Sequence, residues 1–208
     1  MKDSEERVVR GGTRWRRFAA LMVPAAAAAG AVVFGMANGA IAASFSVSGQ
    51  TFKVSASELN GSGFTQYGGQ VKGTDGKVTP VAISGIKKAD LHNLCQSVRV
   101  PNTDIVLVIK AGGDGNPAQA TDLLLAMDSL QGDATFTNIA IGRDASDIAT
   151  STPSDGFGVG HAAPGSFGQS SDKVDIVGLK QVARSTTAGT FALNGLNLTL
   201  NFKGTECF

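Results

Sequence analysis

Several kinds of chemistry are nearly absent from this 208-residue chain. It has one tryptophan (Trp15), one tyrosine (Tyr67), two histidines (His92, His161) and two cysteines (Cys95, Cys207). A zinc centre takes three or four protein ligands, so a metal site would have to gather nearly every imidazole and thiol in one place. We expect no metal and no cofactor. Beyond residue 17 the glutamates are reduced to Glu58 and Glu206. The glycine turn AGGDGNPAQ (111–119), with Asp114 and Asn116, therefore lacks the downstream bidentate glutamate of an EF-hand and reads as a hairpin turn. A glycosidase's paired carboxylates are equally unsupported, because the acids are mostly aspartates at turns. There is no G-x-x-x-x-G-K-[ST], and no G-x-G-x-x-G between a strand and a helix, so no phosphate-binding loop is expected.

Charge of one sign is missing too. Six of the 18 lysines and arginines and three of the 17 acids precede Phe18, which leaves 12 basic against 14 acidic residues. No basic stripe remains to neutralise phosphates, so nucleic acid is not an expected partner.

What the chain does have begins with its leader. Residues 1–17 are charged and end on Arg14, Arg16 and Arg17; from Phe18 to Ala43 no residue ionises. A basic n-region before an apolar run is an export signal. The run closes on Ala40-Ile41-Ala42, a small-x-small site for cleavage before Ala43. It is also long enough to span a bilayer as a helix. Two readings therefore stand, a cleaved signal or a retained anchor over 18–42, and both put 43–208 outside the cytoplasm. Thiols there tend to be oxidised, and two cysteines with none left over favour one disulfide, Cys95–Cys207. It would close a loop of roughly 110 residues, for which the chain-entropy relation gives about 4–5 kcal/mol. Two buried free thiols, or a metal site using Cys95 and His92, are the alternatives.

The exported part is long enough for one domain with a core. Apolar and polar residues alternate through ASFSVSG (43–49), TFKVSAS (51–57), VTPVAIS (78–84), DIVLVIKA (104–111), ATFTNIAIG (134–142), KVDIVGLK (173–180) and FALNGLNLTLNF (191–202). PAQATDLLLAMDSL (117–130) fits a short helix or a strand, and we read it as a strand. The fold class is all-β: a sandwich or a curved open antiparallel sheet after the apolar N-terminal helix. Of 11 phenylalanines, all but Phe18 and Phe34 belong to this domain, and with Val, Ile, Leu and Ala they must fill the core. So many small side chains suit a thin or grooved core that an apolar ligand enters. Two glycine-rich stretches, 62–77 and 150–172, read as loops, the second long enough to carry function. Its aromatics Phe157 and Phe167, with Tyr67 from the first, are the candidate ligand-binding residues.

Hydrolytic chemistry would need a serine beside an imidazole on a strained turn. G-x-S-x-G does not occur; NGSGF (60–64) and PGSFGQ (164–169) come nearest. A triad of Ser166, His161 and either Asp155 or Asp175 can be drawn, and the ordinary reading of these residues is loop polarity.

The stretches SFSVSGQTFKVSASELNGSGFTQYG, NLCQSVRVP, GDATFTNIAIGRDAS and AGTFALNGLNLTLNFKGTECF resemble the DUF6230 family of exported actinobacterial proteins, common in Streptomyces. The LCQSV segment and the terminal ECF are its most specific marks, and the likeness covers nearly the whole chain. Members often carry the label cholesterol esterase, and their genes often adjoin one for a small multi-span membrane protein. The resemblance therefore implies an envelope partner and that label, and brings no catalytic residues with it. We expect an extracytoplasmic, non-enzymatic binder of a lipidic ligand or of a membrane partner. The alternatives are a sterol or lipid ester hydrolase and a surface protein that self-associates through its sheet edges.

Overall fold

The computed structural model describes residues 50–73, 76–148 and 164–208. The leader, the strand expected at 43–49, Asp155, Phe157 and His161 lie outside them. Among the described residues no helix is long and apolar enough to cross a membrane. Those residues form β1 (Phe52–Lys72), β2 (Val78–His92), β3 (Leu94–Arg99), β4 (Val106–Ala111), β5 (Ala118–Thr137), β6 (Ala140–Asp144), the single-turn helix α1 (Ala145–Ile148), β7 (Phe167–Thr187), β8 (Thr190–Ala192) and β9 (Asn197–Asn201). All strand pairs are antiparallel. The all-β expectation holds.

The sheet order is β6-β7-β5-β2-β1-β3-β4-β9, with a further pairing between β7 and β1. That pairing matters. β1 bonds to β2 along one edge and to β7 along the other, while β2 and β7 both bond to β5. The long strands β1, β2, β5 and β7 thus form a closed ring of ladders around the main core of Leu59, Phe64, Ile86, Leu91, Leu123, Met127, Val174, Ile176 and Leu179. Closure removes the exposed edges that would template aggregation. The ring leaves β3, β4 and β9 projecting beyond it as a three-stranded wing.

Five consecutive residues, Leu123–Met127, are buried. Leu123, Leu125 and Met127 enter the main core, while Leu124 and Ala126 join Val71, Val81 and Ile83 on the opposite face of the sheet. An unbroken apolar run is what a strand covered on both faces requires, which settles the helix-or-strand ambiguity of 117–130.

The glycine-rich stretch 62–77 is strand as far as Lys72, not loop. Two glycines where it begins, Gly61 and Gly63, are set by packing and backbone conformation. A Cβ at Gly61 would stand 2.9 Å from Val174 Cγ1 and 3.0 Å from Ile86 Cγ2, so only a hydrogen fits. Gly63 has φ of +66°, a left-handed conformation that L side chains avoid.

Cys95 on β3 is joined to Cys207, with Cα atoms 5.9 Å apart and a sequence separation of 112. The free-thiol and metal-site alternatives therefore fall. The tail lies over one face of the wing, where the Cys207 N–H donates to Ser97 Oγ at 3.1 Å and both Ser97 and Val106 are fully buried. Lys53 Nζ donates to Glu206 Oε2 at 2.9 Å and to the Phe208 carbonyl at 2.8 Å. These half-exposed contacts add little stability; the covalent link contributes more.

Replacing Cys95 and Cys207 together by serine should lower the unfolding free energy by about 2–5 kcal/mol, read from urea melts; an unchanged midpoint would show the link to be dispensable. Gly61→Ala should cost about 1–3 kcal/mol through overpacking in the same assay.

Candidate functional site

Two surfaces of opposite chemistry come from the way the sheet bends and ends. The first is a corner. In the pairs β5–β2, β2–β1 and β1–β7 the ladder is interrupted at one common level, Asp122–Lys87–Gly63–Asp172, with the register unchanged on either side. The β7 registers with β5 and β6 add Asn138 opposite Asp172, and Asn138 Nδ2 donates to Asp172 Oδ2 at 2.8 Å. At this level the inward residues are three apart instead of two: Gly61 and Phe64, Ile86 and Ala89, Ala120 and Leu123, Ser171 and Val174 are all buried. Strand side chains alternate with period two, so each strand has here two successive residues facing outward. Gly63, Asp122 and Asn138 carry φ of +66°, +48° and +55°. The row lines an open groove of about 590 Å³, together with Arg143 of β6 and Asp147 of α1.

One wall of that groove is held by Asp144. Its Oδ1 accepts from the Ser146 N–H (2.9 Å) and hydroxyl (2.7 Å), capping α1, and its Oδ2 accepts from the Gly165 N–H at 2.6 Å. The Ser146 hydroxyl, then the Ser146 and Gly165 amides, hold the carboxyl below its ordinary value of 3.8.

The second surface is the wing. Residues paired across a ladder point to the same face. Ser97, Val108 and Thr199 share the face on which the tail lies, where Ser97 and Val108 are buried and Thr199 stays exposed; Gln96, Ile109 and Leu198 share the other, with Val98, Leu107 and Leu200. The second face continues the core lining, because Gln96 is paired with the buried Val54. Past β4 nothing described covers it. Leu198 is 57% exposed and Leu200 52%, and Leu196 and Phe202 extend the alternation at 55% and 70%. By contrast the enclosed apolar space beneath Phe191, lined by Leu59, Leu91 and Leu179, is about 20 Å³, the room of a single water.

A family model described as "Family of unknown function (DUF6230)" matches residues 48–208. The chain belongs to this family. No curated protein and no solved structure matches it. The two marks that carried the DUF6230 resemblance, LCQSV and ECF, hold the two halves of the disulfide.

The other residues singled out from sequence are spread over this DUF6230 domain. Ser166 lies in the turn before β7, where its carbonyl accepts from the Ala145 N–H at 2.9 Å. Asp175 is carried well along β7 and accepts from Asn60 Nδ2 at 3.0 Å. Ser57 donates to the carbonyl of His92 at 3.1 Å, and the His92 imidazole makes no hydrogen bond with a described residue. Tyr67 packs on the smaller apolar cluster, and Phe167 is 60% exposed where β7 begins. Among the described residues no three His, Cys, Asp or Glu side chains gather as metal ligands. Sequence reasoning missed the corner, whose one local signal is the three-residue step between apolar positions, and missed the exposure of β9, which reads as an ordinary strand.

Because Asp144 binds its proton less readily in the folded chain, its contacts persist above the ordinary carboxylate value and are lost as pH falls through the lowered one. An NMR titration of the Gly165 amide should therefore show a midpoint below 3.8; a midpoint at or above it would contradict this anchoring.

Proposed function

We propose that this chain is an exported cell-envelope protein that works by binding, and that the uncovered face of β4 and β9 seats on the membrane across which it is exported. The observation that carries the reading is the pair Leu198 and Leu200, each more than half exposed on a strand bonded to β4, with the exposed Leu196 and Phe202 flanking that strand at either end. Burying a single leucine side chain is worth about 1.5–3 kcal/mol. Two leucines on the face that continues the core lining, with exposed Leu196 and Phe202 beside them, amount to an apolar docking surface.

Geometry favours a bilayer as the occupant. Eight residues, 44–51, separate the end of the apolar leader run from β1. Extended, they reach about 26–29 Å. The start of β1 is joined through β3 and β4 to β9, three strand spacings or about 14 Å away. With the leader retained, the apolar face lies within reach of the bilayer surface; with the leader removed, this face is the attachment left. The covalent link between Cys95 and Cys207 is in keeping with an oxidising exterior.

The space beneath Phe191, about 20 Å³, holds no more than a water, which supports a surface contact over a ligand bound there. A sterol-ester hydrolase would depend on His161, outside the described residues, since the His92 imidazole has no serine bonded to it.

The test uses the full chain in vesicles of brominated phosphatidylcholine and phosphatidylglycerol, with Trp15→Phe and Phe202→Trp. Bromine should quench the new indole, leave a Val177→Trp reporter bright, and lose its effect when Leu198→Asp and Leu200→Asp are added, which should weaken seating by more than about tenfold. An unquenched reporter at 202 would sink the membrane reading, and a cross-linked pair of chains through β9 would replace it with self-association.

A further inference from the structure

We propose that the corner groove is a binding site for a neutral polyhydroxyl ligand, a saccharide. The inference does not rest on the membrane reading; it comes from a different surface.

The groove is built by the fold's main irregularity. Five cross-strand neighbours, Asp122, Lys87, Gly63, Asp172 and Asn138, meet at one level and all line it. Its volume of about 590 Å³ falls within the span of small-molecule sites. Asp122 and Asn138 are held in left-handed backbone conformations. Non-glycine residues kept in sparsely populated conformations concentrate where ligands are clamped.

Its charges then select the ligand. Lys87 and Arg143 face the same space as Asp122, Asp147 and Asp172. The side chains of Lys87, Arg143, Asp122 and Asp147 make no hydrogen bond or ion pair with any described residue. Opposite charges share one groove without neutralising each other. An anion entering it would meet three carboxylates, and a cation would meet an ammonium and a guanidinium. An apolar molecule would strip water from all five without replacing its hydrogen bonds, a large cost for each. A neutral polyol meets no like charge.

A polyol also fits positively. Each sugar hydroxyl donates one hydrogen bond and accepts others. The groove supplies carboxylate acceptors and the donors of Lys87 and Arg143, beside the Asn138 amide and the Ser170 and Ser171 hydroxyls, so neighbouring hydroxyls can be satisfied from both sides at once. The Asn138–Asp172 pair, fixed by its own 2.8 Å hydrogen bond, sets a donor and an acceptor in a constant relation. Gly63 stands mid-row, where a Cβ would meet the Lys87 stem at 2.8 Å; its absence lets that stem lie across the strand at the groove.

The test titrates the full chain in detergent with neutral tri- and tetrasaccharides built on glucose, mannose, arabinose or N-acetylglucosamine, and follows amide NMR shifts. At least one should bind, with shifts centred on Gly63, Lys87 and Asn138. Asp122→Asn and Lys87→Met should each weaken it about tenfold, the loss expected for one hydrogen bond to a charged group, while Asp128→Asn, outside the groove, should leave it unchanged. If a variant fails to fold, the wild-type shift map decides alone. Saccharide shifts centred elsewhere, no binding by any member of the panel, or shifts at the corner caused only by a zwitterionic amino acid or dipeptide would each overturn the proposal.

Discussion

Backbone hydrogen bonds run along both edges of β1, to β2 on one side and β7 on the other, and each of those strands is bonded in turn to β5. In such a ring no strand changes direction by itself. If β1 turned at Gly63 while its neighbours ran straight, the ladders on both sides would lose their donors and acceptors, and buried unpaired backbone groups are costly. The observed solution is a bend shared at one level, with the register intact beyond it. Ser57 and Gly178 show the same interruption in the β1–β7 ladder, again with inward residues three apart at Ala56 and Leu59 and at Ile176 and Leu179. The positive φ values at Gly63, Asp122, Asn93 and Gly178 are the local form of that shared constraint.

The shared bend explains what could be read in the sequence and what could not. Alternation made the strands legible, and most of the long segments, such as VTPVAIS in β2 and KVDIVGLK in β7, lie where the pattern put them. The pairing of Cys95 with Cys207 followed from their number and the leader. Residues 61–69 were illegible because glycine serves there for close approach to Val174 and Ile86 and for a left-handed corner inside a strand, while in most sequences it marks a loop. The groove was illegible for a deeper reason. Asp122, Lys87, Gly63, Asp172 and Asn138 are scattered over 110 positions, and only the register of four ladders makes them neighbours. No local motif records a register.

The two surfaces also differ in how they are held. The corner is fixed by ladders on every side and, at α1, by the three hydrogen bonds into Asp144. Among the described residues the strand ladder that joins the wing to the ring is the short pairing of Lys53, Val54 and Ser55 with β3. A wing joined so narrowly would fray from its tip. The disulfide works against that by tying the tail to β3, and Lys53 draws Glu206 and the Phe208 carbonyl to the root of the same strand set.

The link also decides which side of the wing meets solvent. Cys95 and Ser97 lie on one face, and the tail held there buries Ser97 and Val106 completely. The opposite face inherits the apolar pattern of the core it extends, yet past β4 it has nothing to pack against, so Leu198 and Leu200 stand more than half exposed. Had the tail lain on that side, it would have covered the leucines. The chain lays its closing residues on the less apolar face and leaves the more apolar one open. Burial alone would favour the reverse, and the proposed membrane contact would offset that exposure.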